Sequence, residues 1–367
     1  MSIEHRRIVS VVGARPNFMK LAPVARALAT RAVVDHVIVH TGQHYDLAMS
    51  RAFFGQLSIP APAFDLGVGS GSHGHQTGLI MQRFEPICAS LAPDVVLVYG
   101  DVNSTVAAAL VAAKLGIRVG HVEAGLRSGD WSMPEEINRV LTDRLSAFLF
   151  TPSREAGENL LRERLPSDRI QFVGNVMIDT LVHALPAARQ LALCRALGVG
   201  EQEFVLVTLH RPSNVDDPLR LGELLSALET LAKHTSVLFP VHPRTRQRMV
   251  AAGLEQEYRI RLLDPLPYLE MLSLVADARL VITDSGGLQE ETTFLGIPCL
   301  TLRSTTERPI TCREGTNRLV EPRRDAVLAA ARNSGRGRAN PARSIERWDG
   351  CAGQRIVAAL CDGADFC

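Results

Sequence analysis

Ile282-Thr283-Asp284-Ser285-Gly286-Gly287-Leu288-Gln289-Glu290-Glu291 has the pattern of a strand that turns directly into a helix. The apolar run Leu280, Val281, Ile282 ends at Thr283-Asp284-Ser285, two glycines follow, and a helical pattern continues through Leu295. Gly286 and Gly287 let the backbone pass close to a ligand, and the first helical turn offers free N–H groups at the positive dipole end. Those N–H groups and a hydroxyl at Ser285 suit a phosphate. A carboxylate one turn further in, at Glu290 or Glu291, suits ribose hydroxyls. The same residues also fit an ordinary helix start, with Asp284 and Ser285 as caps and acidic side chains complementing the dipole.

The same grammar extends along the chain. Short apolar strands alternate with amphipathic helices, which implies parallel sheets built from βαβ units. In the first half strands are predicted at 8–12, 34–40, 95–99, 119–122 and 148–150, with helices at 17–29, 47–57, 76–91, 105–115 and 134–145. The pattern restarts with strands at 204–209, 237–241, 260–263, 280–282 and 298–302. A turn and a long helical stretch near 174–179 mark the boundary, so residues 1–176 form one domain and 177–345 another. The Gly-, Arg-, Asn- and Pro-rich stretch 333–343 reads as a loop, and 345–360 as a last helix. Residues 346–367 then make a C-terminal helical segment with the option of crossing back onto the first domain. The fold class is α/β: two Rossmann-like doubly wound domains facing across a cleft, with ligands at the carboxyl ends of the strands.

Composition narrows the function. Across 367 residues, 40 basic side chains against 39 acidic ones leave a net charge of +1, so there is no basic footprint for nucleic acid. Aromatics are only 5%, too few for base-stacking platforms. Seven scattered cysteines with no C-x-x-C argue for a reducing compartment and against a zinc site or a disulfide framework. The start Met1-Ser2-Ile3-Glu4-His5-Arg6-Arg7 runs straight into a strand pattern and reads as no signal peptide. No apolar stretch approaches the ~20 residues of a membrane span. The expectation is a cytoplasmic protein that engages neither membrane nor nucleic acid.

Residues just after the strands carry the chemistry. Gly13-Ala14-Arg15-Pro16-Asn17-Phe18-Met19-Lys20 places Arg15 and Lys20 near a helix N-terminus, where cations are unfavourable unless an anion joins them. There is no G-x-G-x-x-G, so a nicotinamide cofactor is not supported and no cofactor is expected. Thr41-Gly42-Gln43-His44 is a polar cluster fit to line the cleft. His73-Gly74-His75 has the spacing of a metal pair but lacks suitable neighbours, so it reads as a surface loop and no metal is expected. Asp101 and Glu123 each follow a strand. Glu135 opens a helix, where Ser132 and Glu135 also match a capping box, S-x-x-E, and Asp101 also fits a helix cap. Neighbouring strand ends bring Asp101 and Glu123 together, and mutual repulsion of such carboxylates tunes them for acid–base work. In the second half His210 and Arg211, then His242 and Arg244, and later Arg303 and Arg308 supply cations or hydrogen bonds towards Ser285.

Taken in order, the strings 13–20, 41–44, 100–101, 121–127, 134–139, 174–175, 210–211, 284–291 and 306–309 resemble the non-hydrolysing UDP-N-acetylglucosamine 2-epimerase family. The resemblance runs from Gly13 to about Val320 and implies a glycosyltransferase-B type fold with UDP held mainly by the second domain. It implies inversion of carbon 2 of the sugar through elimination and re-addition of UDP, by way of a 2-acetamidoglucal, in the making of cell-surface polysaccharide precursors. By position, Arg15, His210, Ser285 and Glu291 look like UDP contacts, and Asp101, Glu123 and Glu135 like the acid–base carboxylates, with Glu136 the alternative to Glu135. His210 is placed with the catalytic set as well. Lys20, His44, Arg211, His242, Gly286, Gly287 and Arg308 complete the expected substrate-binding set. The partner implied is a UDP-sugar, and a homodimer is the family expectation. A sister branch acts on UDP-2,3-diacetamido-glucuronate, for which Arg244, Arg246 or Arg303 would meet the uronate carboxylate. A glycosyltransferase of the same fold is the rival from another reaction class.

Overall fold

The computed structural model describes residues 6–43, 54–201, 203–254, 258–334 and 345–362. The chain divides into two compact units, Met1–Val182 with Glu346–Cys367, and His183–Ile345.

The first unit is built on seven parallel strands: β1 (Arg6–Val12), β2 (Val34–His40), β3 (Phe64–Asp65), β4 (Val95–Tyr99), β5 (Arg118–Val122), β6 (Phe148–Thr151) and β7 (Ile170–Phe172). Their order is β3-β2-β1-β4-β5-β6-β7. The second unit has six parallel strands: β8 (Phe204–Thr208), β9 (Ser236–Pro240), β10 (Arg261–Leu263), β11 (Leu280–Thr283), β12 (Cys299–Leu302) and β13 (Asn317–Val320). They run in the order β10-β9-β8-β11-β12-β13. Both sheets wind outward from their first strand and reverse direction beside it, at β1/β4 and at β8/β11. Such a reversal opens a crevice at the carboxyl ends of the two strands.

The sequence explains why the inner strands are unbroken apolar runs. Every residue of β4 and β8 is buried, because helices cover both faces of a parallel sheet. Val9, Val11, Val96 and Val98 pack with Ile80 and Phe84 of the helix His73–Leu91 and with Ala107 and Ala108 of the helix Asn103–Lys114. In the second unit Val205, Val207, Phe239 and Ile282 pack with Leu224 and Leu228. Each large apolar side chain fully withdrawn from water stabilises the fold by roughly 1.5–3 kcal/mol.

Three strands escape the apolar pattern: β3, β7 and β13. All lie at sheet edges. An edge strand needs few apolar residues, and β3 pairs only two residues, both exposed. The helix expected at 47–57 falls largely outside the described residues, and only its end at 54–56 is seen as helix. The expected loop at 333–343 likewise lies almost entirely outside them. The last helix starts later than expected, at Ala352 rather than 345. Arg347 and Gly350 take left-handed conformations, with φ of 59° and 80°, which no helix continues through. The helix packs on Arg15–Leu28, where a Cβ on Gly353 would come within 2.7 Å of the Pro23 carbonyl oxygen. Asp179 accepts the Gly353 N–H at 2.7 Å, anchoring the helix start. Among the described residues no helix is long and apolar enough to cross a membrane.

Candidate active site

In the first unit the switch point is closed by one side chain. Asn17 accepts the N–H groups of Gly13 (3.3 Å) and Ala14 (3.2 Å) and donates to the Tyr99 carbonyl at 2.7 Å. It therefore ties the end of β1 to the end of β4. Gly13 is required there, because a Cβ would sit 2.1 Å from Ser104 Oγ and 2.2 Å from Thr41 Oγ1. One turn on, Lys20 is buried with its Nζ 2.8 Å from Glu123 Oε1. Gly100, in a left-handed turn at φ 63°, makes room for that ammonium, which a Cβ would approach to 2.4 Å. Glu123 is itself left-handed at φ 75°. For a residue with a Cβ this conformation costs ~1–2 kcal/mol and persists only where neighbours enforce it. Here the N–H groups of Glu123 and Ala124 both donate to the Phe150 carbonyl, at 3.1 and 3.0 Å.

The register Tyr99↔Val122 sets Gly100-Asp101 and Glu123 at adjoining strand ends. Each carboxylate has a cation of its own: Lys20 for Glu123, and Arg139 from the helix Pro134–Leu145 for Asp101. Arg139 also pairs with Glu136. Burial raises the Glu136 carboxyl, but the N–H groups of Ser128 and Gly129 and the Arg139 guanidinium more than offset this and hold it below its ordinary range. Glu136 is thus committed to the loop before its own helix. Glu135 is half-buried, and its side chain makes no hydrogen bond or ion pair among the described residues.

The alternative capping readings do not form. The helix is capped by Met133, and Ser132 instead donates to Asp130 at 2.6 Å. Val102, not Asp101, caps Asn103–Lys114. His73 and His75 lie in the first turn of the helix His73–Leu91 with Ser72 as its cap, so the expected surface loop is helix there. Helical spacing of two turns these residues to different sides. Among the described residues no group of three or more His, Cys, Asp or Glu side chains is placed to hold a metal ion.

In the second unit Asp284 is fully buried and turned towards the end of β8. It accepts the N–H groups of His210 and Arg211, each at 3.0 Å, and the Asn214 amide at 3.1 Å, and lies 3.1 Å from His210 Nδ1. Asp284 is therefore the post that holds the His210 loop, not a cap. Ser285 is the N-cap of Gly286–Leu295, yet its hydroxyl makes no capping bond. The His210 and His242 rings lie 5.7 Å apart, and His242 Nδ1 accepts the Arg244 N–H at 3.2 Å.

Gly286 yields space to side chains rather than to backbone: a Cβ would meet Arg308 Nη1 at 2.7 Å and Glu307 Oε1 at 2.8 Å. Arg308 pairs with Glu307, and its Nε lies 3.0 Å from Glu290 Oε1. Glu307 also holds Arg303 at 2.7 Å and stands 4.0 Å from Arg211. Burial raises the Glu307 carboxyl, but Arg308 and Arg303 override that and keep it far below its ordinary range. Glu291 behaves in the opposite way. Burial pushes it up to about 7, against the lowering effect of the Tyr268 hydroxyl, which donates to it at 3.1 Å, and with help from Glu290. Arg244 pairs with Asp216, and Arg246 stands 3.5 Å from Asp264. His44 and the side chain of Arg15 lie outside the described residues.

Sequence reasoning missed Asn17 and Arg139 as supports of the site. Arg139 had one local signal, its place three residues after Glu136 on the same helix face.

A family model described as UDP-N-acetylglucosamine 2-epimerase matches residues 26–361. This chain belongs to the UDP-N-acetylglucosamine 2-epimerase family. Its members are isomerases, and the two Rossmann-like units are those of the glycosyltransferase-B type. A UDP-N-acetylglucosamine 2-epimerase homolog of Methanococcus maripaludis is 44% identical over 88% of this chain and 90% of its own length. The UDP-2,3-diacetamido-2,3-dideoxy-D-glucuronate 2-epimerase of Pseudomonas aeruginosa is 43% identical over 89% and 92%. The crystal structure of the Methanocaldococcus jannaschii UDP-GlcNAc 2-epimerase, in complex with UDP-GlcNAc and UDP, superposes with a TM-score of 0.88 at 40% identity. The match covers 97% of this chain and all of that one.

Proposed function

We propose that this family member interconverts UDP-N-acetylglucosamine and UDP-N-acetylmannosamine by eliminating and re-adding UDP. The hydrogen on carbon 2 is not α to a carbonyl, so direct deprotonation is prohibitively slow. In the elimination a carboxylate takes that hydrogen, the C2–H electrons form the C1=C2 double bond, and the C1–O electrons leave with UDP. Re-addition reverses these steps, with the proton delivered to the opposite face of carbon 2. The route needs acid–base groups on two faces and cations or N–H groups at the diphosphate.

The observation that carries this reading is the trio of carboxylates in three different settings. Glu123 is buried against Lys20, Asp101 faces Arg139, and Glu135 has no partner among the described residues. Different settings are what separate a group that gives a proton from one that takes it. In the second unit the uncommitted Ser285 hydroxyl and the N–H groups of the helix Gly286–Leu295 suit the UDP phosphates, Glu291 suits the ribose, and Asp284 holds His210 for the diphosphate. In heavy water, turnover of UDP-N-acetylglucosamine is expected to place deuterium at carbon 2 of both epimers. Epimer formed without deuterium would sink the elimination route, and sugar transferred to an acceptor with no epimer would favour a transferase.

The 43% identity to the Pseudomonas aeruginosa enzyme supports a second reading, a diacetamido-glucuronate substrate. Arg244 and Arg303 are each engaged by a carboxylate of the chain, Asp216 and Glu307. Arg246 holds its partner Asp264 most loosely, at 3.5 Å, and is the arginine a uronate would recruit most readily. Parallel assays of the two UDP-sugars decide between the readings through kcat/KM.

A further inference from the structure

His121 stands at the carboxyl end of β5, two residues before Glu123, and is fully buried. Its Nε2 lies 2.8 Å from the Gly100 carbonyl oxygen and its Nδ1 lies 2.6 Å from Asp143 Oδ1. A carbonyl can only accept, so Nε2 carries a hydrogen and donates it to Gly100, while Nδ1 is held against the Asp143 carboxyl. The ring is therefore fixed at both nitrogens. Asp143 is fixed in turn, by the Gly125 N–H at 3.2 Å and by Arg127 at 2.7 Å. Arg127 grips both oxygens of Glu163, at 2.7 and 2.8 Å.

The Gly100 carbonyl belongs to the peptide that leads into Asp101. Gly100 also donates its N–H to the Val122 carbonyl at 3.0 Å, so β5 holds this left-handed residue at both its polar groups. Releasing the carbonyl would remove the tether between the Gly100 N–H and the Asp101 carbonyl, which Asn138 holds at 2.9 Å, and would let the Gly100–Asp101 peptide tilt and shift the Asp101 carboxylate with it. The side chain of Asp101 is held independently, by Arg139, one turn before Asp143 on the helix Pro134–Leu145. One helix thus anchors Asp101 three times: at its side chain through Arg139, at its own carbonyl through Asn138, which donates at 2.9 Å, and at the preceding carbonyl through Asp143 and His121.

We infer that His121, oriented by Asp143, is a positioning residue that sets the place of the Asp101 carboxylate through the Gly100 carbonyl. The inference rests on the acid–base role proposed for Asp101. A ring that merely filled the core would affect stability alone. A positioning ring affects the rate of turnover, since misplacing a reacting group by about 1 Å costs on the order of a hundredfold.

The test compares His121→Gln, His121→Asn, His121→Leu and Asp101→Asn by kcat, KM, UDP binding and thermal unfolding. Gln can still reach the Gly100 carbonyl with an N–H, Asn is too short, and Leu has no donor. Expected is a fall in kcat of roughly ten- to a hundredfold for Leu, with KM and UDP affinity within about threefold, and recovery of most of kcat by Gln. A folded Leu variant with full kcat overturns the inference, as does an equal loss in Gln and Leu. Should the Leu variant not fold, Gln against Asn decides, and equal kcat in those two overturns it. Full activity in Asp101→Asn would instead show that the acid–base reading of Asp101 has failed. Loss in Asp101→Asn with none in the His121 variants removes the positioning role alone.

Discussion

The Lys20 ammonium lies 2.8 Å from Glu123 Oε1, with both side chains almost wholly withdrawn from water. A buried pair of this kind gives little net stability, but removing one partner leaves the other's charge in a poor solvent. Lys20→Met is therefore expected to destabilise the first unit by about 3 kcal/mol. The double variant Lys20→Met, Glu123→Gln should recover much of that loss. Urea unfolding of the four proteins in this cycle measures the coupling, and additive losses would show that the pair is not coupled.

Glu135 and Glu136 are neighbours in sequence with opposite expected behaviour. Glu135→Gln should leave the unfolding midpoint unchanged while lowering kcat by roughly a hundredfold or more, the usual loss when an acid–base group is removed. Glu136→Gln removes the acceptor of the Ser128 and Gly129 N–H groups and should cost about 1–3 kcal/mol in stability. The Glu136 carboxyl is depressed in the folded state, so its stabilising effect is present above the unfolded carboxylate range and is lost as pH falls through its folded value. Acid unfolding should begin at higher pH in the Gln variant.

Glu291 gives the reverse pH dependence. Its folded carboxyl is raised to about 7 from an ordinary 4.5, so the folded chain keeps a proton that the unfolded chain releases. The contribution of this group to stability is full below 4.5, declines as pH rises through about 7, and is level above that. Glu291→Gln should flatten this limb of the unfolding profile. If the ribose hydroxyls donate to Glu291, UDP should bind more tightly as pH rises through the same window. Calorimetric titration with UDP at several pH values measures this, and pH-independent binding would remove Glu291 from the ribose site.

Asp284 organises the His210 loop through three donors, the N–H groups of His210 and Arg211 and the Asn214 amide. Asn at this position turns a donor towards donors. Asp284→Asn should weaken UDP binding by roughly tenfold and lower stability by about 1–3 kcal/mol. Binding equal to that of the parent chain would show that the His210 loop does not carry UDP.

The strand–turn–helix at 282–291 was legible because its signals are local: an apolar run, two glycines, and a helical period within ten residues. The inner strands were legible for the same reason, since a strand covered on both faces must be apolar throughout. The edges β3, β7 and β13 were not, because an edge strand meets weaker demands on composition. The order of the carboxylates along the chain was also plain, but their settings were not. Lys20 and Glu123 are 103 residues apart, and the Asp284–His210 contact spans 74. No local pattern encodes such pairs. Lys20 read as a cation seeking an anionic ligand, and Asp284 read as a cap, whereas packing supplies each with a partner from another strand end.

The sequence by itself determined the doubly wound α/β class of both units and which residues follow each inner strand, because burial and backbone conformation leave their mark within a few neighbours. Only the tertiary structure decided which carboxylate meets a cation, which is committed to a loop, and which is left to act. Those outcomes depend on register between strands and on the helices laid across them, and a charge is tuned by what lies beside it in space.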